Sequence, residues 1–161
     1  MVLLLALACE EQLTPCERAA LVAPTIELGT GGETFEPVAD GDYLPVTFGP
    51  QGGFHVWGGV RTAGFDPGES ALLAHYEVGV NLRFYMEIDD VIIADSGWLS
   101  RPMEGDEYEA ELAGEAMFTE QWPYFGDGFE TDQVEATYHV ELEDSCGNVG
   151  DAQTSVWVDV F

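Results

Sequence analysis

Three histidines, His55, His75 and His139, each fall on the polar side of an alternating apolar segment. Three imidazoles meeting on one sheet could hold copper or zinc, with Met86 or Met103 as a soft neighbour. Their separations are long and no two stand at i, i+2 or i, i+4, so scattered, half-buried histidines account for the same residues. Calcium takes oxygen ligands and would draw on Asp40, Asp42, Asp89, Asp90, Asp127 and Asp132, all in segments that read as turns. No Asp-x-Asp-x-Asp-Gly loop accompanies them, and turn formation explains the same carboxylates. Hydrolysis needs an activated nucleophile, and the chain has no Gly-x-Ser-x-Gly elbow. Carboxylate pairs carry no information when 31 acids guarantee that some lie close. The expectation is a protein without catalysis or an obligatory cofactor, a small metal-handling protein using His55, His75 and His139 being the alternative.

Aromatic residues offer a different chemistry. Trp57, Trp98, Trp122, Tyr124 and Phe125 fall on outward faces or in loops, and Trp122-Pro123-Tyr124-Phe125 is a loop rich in rings. Exposed rings among acids form a stacking platform for carbohydrate or a hot spot for a protein partner. Tryptophans of a sandwich also serve as core or edge covers.

The acids outnumber the four arginines by 27, and there is no lysine. Such a chain repels nucleic acid and an anionic membrane surface, so both are excluded as direct partners. Hydrophobic residues make up 46% of the 161, enough for one domain with a real core, and 19 glycines with eight prolines indicate many turns.

These side chains must be positioned by strands. Thr25-Ile26-Glu27-Leu28 begins to alternate, and Phe35 to Val38 and Tyr43 to Phe48 are short apolar segments parted by Asp40-Gly41-Asp42. Phe54 to Arg61 sets Phe54, Val56, Gly58 and Val60 against His55, Trp57, Gly59 and Arg61. From His75 to Met86, Val80, Leu82, Phe84 and Met86 oppose Asn81, Arg83 and Tyr85, the period of a strand with one buried face. Val91 to Ala94 follows through Asp89-Asp90. Glu107 to Leu112 predicts a strand with an acidic face of Glu107, Glu109 and Glu111, although the Ala and Glu content of 109–116 also suits a helix. Val134 to Leu142 and Ser155 to Phe161 close the series. The expectation is all-β: an antiparallel sandwich of seven to nine strands.

The N-terminal run Met1 to Ala8 is too short to span a bilayer, and Ala6-Leu7-Ala8-Cys9 resembles the lipobox of bacterial exported lipoproteins. The resemblance implies a signal peptide over residues 1–8, lipid on Cys9, and an exported protein held at the cell envelope, on the outer membrane, by that anchor alone. Residues 9–24 would then be the lipidated Cys and a polar tether, and 25–161 the folded domain. With Cys9 lipidated, Cys16 and Cys146 remain as a pair that an oxidising compartment would join. Such a bridge would contribute about 4 kcal/mol; two free thiols are the other possibility.

At the other end, Asp144-Ser145-Cys146-Gly147-Asn148 followed by Ser155-Val156-Trp157-Val158 resembles the last hairpin of bacterial immunoglobulin-like, hyalin-repeat-type modules. The likeness implies an immunoglobulin-like fold and no catalytic residues, since such modules are adhesive or structural. Asp144 can accept hydrogen bonds from turn amides, and Gly147-Asn148 tolerate positive φ. Gln51-Gly52-Gly53-Phe54-His55-Val56-Trp57 is similar to a segment of exported lipoproteins of Gram-negative bacteria. Together these features point to a non-catalytic envelope lipoprotein contacting protein or carbohydrate.

Overall fold

The computed structural model describes residues 12–49, 53–68, 79–119 and 132–160. One short helix, α1 (Pro15–Ala19), precedes twelve strands among them. In chain order these are β1 (Thr25–Thr30), β2 (Glu36–Pro37), β3 (Asp42–Leu44), β4 (Thr47–Phe48), β5 (Phe54–Ala63) and β6 (Val80–Ile88). Then come β7 (Val91–Asp95), β8 (Leu99–Arg101), β9 (Glu104–Gly105), β10 (Ala110–Phe118), β11 (Asp132–Glu143) and β12 (Val149–Val160).

The strands pair in the order β2-β1-β5-β10-β7-β6-β11-β12-β3, with β4 on β5, β8 on β6 and β9 on β10. Between β10 and β7 the ladder narrows to one pair, Phe118 opposite Asp95. The sheet curls there, so that β1 packs against β12 although several strands separate them in the order. The core lies inside the curl. Phe84, Leu82, Val140, Leu142 and Val156 enter from one arm, and Val56, Val60, Leu28 and Met117 from the other, all at most 5% exposed. Each such side chain contributes about 1.5–3 kcal/mol by leaving water. Gly58 makes room for this packing: a Cβ there would lie 2.8 Å from Cγ of Phe84.

Alternation produces the long strands. In β6 and β11 the inward set (Val80, Leu82, Phe84, Met86; Ala136, Tyr138, Val140, Leu142) is buried while Asn81 and Glu143 face out. Asp89 and Asp90, at φ 50° and 63°, make the tight turn between β6 and β7; both central residues of such a hairpin turn need positive φ, which Asp accepts more readily than most residues.

The expected fold class needs correcting in two respects. Pairing is mixed, not purely antiparallel: β3 runs parallel to β12, with Tyr43 beside Trp157. There are twelve described strands instead of seven to nine, because short edge pieces escape a periodicity reading. Pro45, which has no N–H to give a ladder, parts β3 from β4 within the expected Tyr43-to-Phe48 strand. Phe35 to Val38 reduces to the two-residue β2.

Two further differences concern the ends of expected elements. Within the expected 9–24 tether, Pro15–Ala19 is helical, capped by Thr14, whose side chain accepts from the Glu17 amide while Glu17 returns to the Thr14 amide. Cys16 is disulfide-bonded to Cys146, Arg18 is paired with Glu107, and Ala19 is fully buried, so this part is docked on the sheet. Glu107 is not on an exposed acidic face: it is buried, and Tyr108 is 61% exposed. Asp106 accepts from the amides of Tyr108 and Glu109, turning the chain between β9 and β10 before alternation begins. Asp132, expected in a turn, opens β11.

Candidate ligand-binding groove

The outer face of β6, β11 and β12 carries cross-strand rows fixed by register. Tyr85 lies opposite His139, which lies opposite Gln153. The next row is Arg83, Glu141 and Asp151. Their neighbours in sequence, Phe84, Val140 and Ala152, point toward the core or pack against it, which leaves these rows facing out. The segment between β7 and β8 brings Trp98, 59% exposed, to the same place. Tyr85, Trp98, His139, Glu141, Glu143, Asp151 and Gln153 are among the residues enclosing an open groove of about 460 Å³.

The rings are ordered by contact. Tyr85 and His139 stack with centroids 4.4 Å apart and planes 4° from parallel. The guanidinium carbon of Arg83 sits 4.8 Å from the Tyr85 centroid. Two bonds to Asp95 hold Arg83 there, Nε to Oδ1 at 3.0 Å and Nη2 to Oδ2 at 2.6 Å. Nε2 of His139 is 3.4 Å from a Glu87 carboxylate oxygen and has no hydrogen-bond partner.

The groove is acidic. Neither Lys nor Arg lines it, while Glu141, Glu143 and Asp151 do. Arg83, at its margin, is neutralised by Asp95, whose carboxyl it holds below the ordinary carboxylate range. Burial, and then the carboxylates of Glu141 and Glu87, push the Tyr85 phenol above its ordinary value. The Tyr85 hydroxyl donates to Glu141 Oε1 at 3.3 Å. Such a surface offers the exposed Trp98 ring for stacking, carboxylates as acceptors and the Gln153 amide as donor and acceptor. A second hollow of about 450 Å³ runs along β7 from Ile92 to Gly97 and Phe118, but its only charged side chain among the described residues, Asp95, is already engaged.

The expected site residues are distributed unevenly. Trp98 and His139 meet in the groove. Trp57 does not: its indole covers Gly32 and meets the His55 ring at 4.6 Å. His55, expected on a polar face, is 6% exposed, because the Gly49 turn, Trp57 and Phe118 enclose it. His55 and His139 thus have different neighbours, and among the described residues no three His, Cys, Asp or Glu side chains gather to hold a metal. His75, Trp122, Tyr124, Phe125, Asp127 and Cys9 lie outside the described residues. Asp42 serves a turn, accepting from the Ala39 amide at 2.8 Å.

Cys16 and Cys146 form the expected disulfide, with Cα atoms 5.5 Å apart. The Asp144 turn beside it is built as its residues imply: Asp144 accepts from the amides of Cys146 and Asn148 and from Asn148 Nδ2. Gly147 alone takes positive φ, at 80°; Asn148 does not.

Tyr85, Glu141, Asp151 and Gln153 were not singled out in the sequence. Alternation already placed Tyr85 on the outward side of its strand, and only the register shows that it meets His139.

No protein-family model matches the chain, and no curated protein matches it in sequence. Among solved structures it is similar to the CooA pilin subunit from enterotoxigenic Escherichia coli, at 11% identity and a TM-score of 0.37, over 85% of this chain and 99% of that one. A likeness that low assigns neither fold nor role.

Proposed function

We propose that this chain is an exported envelope lipoprotein, anchored through Cys9, whose immunoglobulin-like β-sandwich binds a carbohydrate or protein partner without catalysis. Three features support the sandwich reading. The strand path divides at the single Phe118–Asp95 pair, the two arms share one core, and β3 joins β12 in parallel while β1 joins β5. The lipobox-like Ala6-Leu7-Ala8-Cys9 and the Cys16–Cys146 bridge support export to an oxidising compartment.

The observation that carries the binding role is the exposed Trp98 beside the stacked Tyr85–His139 pair, in a groove walled by Glu141 and Asp151. Its volume lies in the range of small-ligand sites. Among the described residues no activated nucleophile stands in the lining, and its carboxylates lie on an open sheet face instead of an enclosed pocket.

The test is a fluorescence titration of the full chain with a panel of soluble oligosaccharides and short peptides, repeated on Trp98→Ala. Binding by at least one class, lost in the variant, is expected. Silence from both classes, or undiminished binding by Trp98→Ala, would reject the groove. Radiolabelled palmitate incorporation in the native host, abolished by Cys9→Ser, is expected of the anchor; an unlabelled wild type rejects it.

A further inference from the structure

Resting on the groove as the contact surface, we infer that its occupant is an extended, arginine-bearing segment of a basic protein. The inference begins with how this chain treats its own cations. All four arginines are paired with carboxylates: Arg18 with Glu107, Arg61 with Glu27 and Glu111, Arg83 with Asp95, Arg101 with Glu115. Two of them also lie on a ring. Arg61 sits 4.4 Å from the Phe35 centroid while bonded to Glu27 and Glu111 at 3.2 Å, and Arg83 sits 4.8 Å from Tyr85 while bonded to Asp95. Ring plus carboxylate is therefore the guanidinium site this chain builds twice.

The groove brings an aromatic ring and carboxylates together again, and the one cation beside it, Arg83 opposite Glu141, is already bonded to Asp95. Trp98 gives an exposed indole face, the strongest of the aromatic cation acceptors. Glu141 and Asp151 stand in one cross-strand row beside it, and Glu143 follows on β11. A planar guanidinium can stack on the indole and fork onto a carboxylate together, which a lysine ammonium does less well. Gln153, in the lining, can donate to and accept from main-chain groups of an extended segment, and the Tyr85 hydroxyl, which donates to Glu141, can still accept. The formal charge of −27 steers a basic partner toward the surface, while the groove fixes where it stops.

The test is calorimetric titration of the full chain with a blocked peptide of alternating Gly and Arg, and with the same peptide carrying citrulline in place of Arg. Maltohexaose and chitohexaose serve as neutral oligosaccharides. The Arg peptide is expected to bind at least about tenfold more tightly than its citrulline counterpart and to weaken as salt rises. Trp98→Ala and the double variant Glu141→Gln, Asp151→Asn should each weaken it by about tenfold. A charge-matched control, Glu33→Gln with Glu36→Gln, changes exposed acids outside the groove and should stay within about twofold. Equal weakening by the control pair would mean diffuse attraction and overturn the inference. Oligosaccharide binding that needs Trp98, without peptide binding, would overturn the arginine-bearing occupant while leaving the groove in place. Binding by neither class would remove both.

Discussion

The hydroxyl of Tyr138, on β11, donates to the carbonyl of Gly29, on β1, at 2.9 Å, and accepts from the Gly59 amide of β5 at 3.3 Å. Tyr138 is fully buried, so burial pushes its phenol well above the ordinary value and keeps it the neutral donor this bridge requires. One side chain thus ties the arm carrying the groove to the opposite arm. Tyr138→Phe should leave a buried carbonyl and amide short of a partner and destabilise by about 2 kcal/mol. Urea unfolding checks this; an unchanged midpoint would show that the bridge adds nothing.

The Cys16–Cys146 bond closes 130 residues of chain. By loop entropy, removing it should cost about 4–5 kcal/mol. Unfolding of the Cys16→Ser, Cys146→Ser double variant measures the loss, and a midpoint equal to the oxidised wild type would contradict it. The same variant should loosen α1, which Cys16 and Arg18 hold to the sheet.

Asp144 gathers four donors: the amides of Asp66, Cys146 and Asn148, and Asn148 Nδ2. It is 5% exposed, so water cannot replace it freely. Asp144→Ala should destabilise by about 3 kcal/mol. Slower re-formation of the disulfide after reduction should accompany that loss, because the turn presenting Cys146 is gone. Unfolding and timed thiol trapping measure the two effects.

The acid limb of stability follows from carboxylates held by arginine. Arg18 holds the Glu107 carboxyl below its ordinary range, and Arg83 does the same to Asp95. A group whose folded pKa is lowered stabilises the fold above its unfolded pKa and loses that contribution as pH falls through the folded value. Stability should therefore decline below the ordinary carboxylate range, about pH 4. In Glu107→Gln that decline should be shallower. Urea midpoints across acid pH test it; identical slopes would remove Glu107 from the cause.

Much of this was legible in the residues. Period-two alternation defined β5, β6, β11 and β12, and Asp89-Asp90 marked a hairpin that the backbone makes at positive φ. Counting the cysteines paired Cys16 with Cys146 once Cys9 was set aside. What stayed hidden depended on distant partners. Glu107 is buried because Arg18, 89 positions earlier, arrives to pair with it, and alternation cannot show that. His55 is enclosed by Gly49, Trp57 and Phe118 instead of facing water. The groove depended on register: Tyr85 and His139 are 54 positions apart, and only the β6–β11 ladder stacks them.

The most direct test of the groove as contact surface is the indole N–H region of a proton–nitrogen NMR spectrum, where the four tryptophans report separately. During titration with the Arg peptide, the Trp98 indole should shift and saturate together with backbone amides of Tyr85, His139, Glu141 and Gln153, while the Trp57 indole stays in place. A Trp98 signal that stays fixed while Trp57 or Trp157 moves would contradict it.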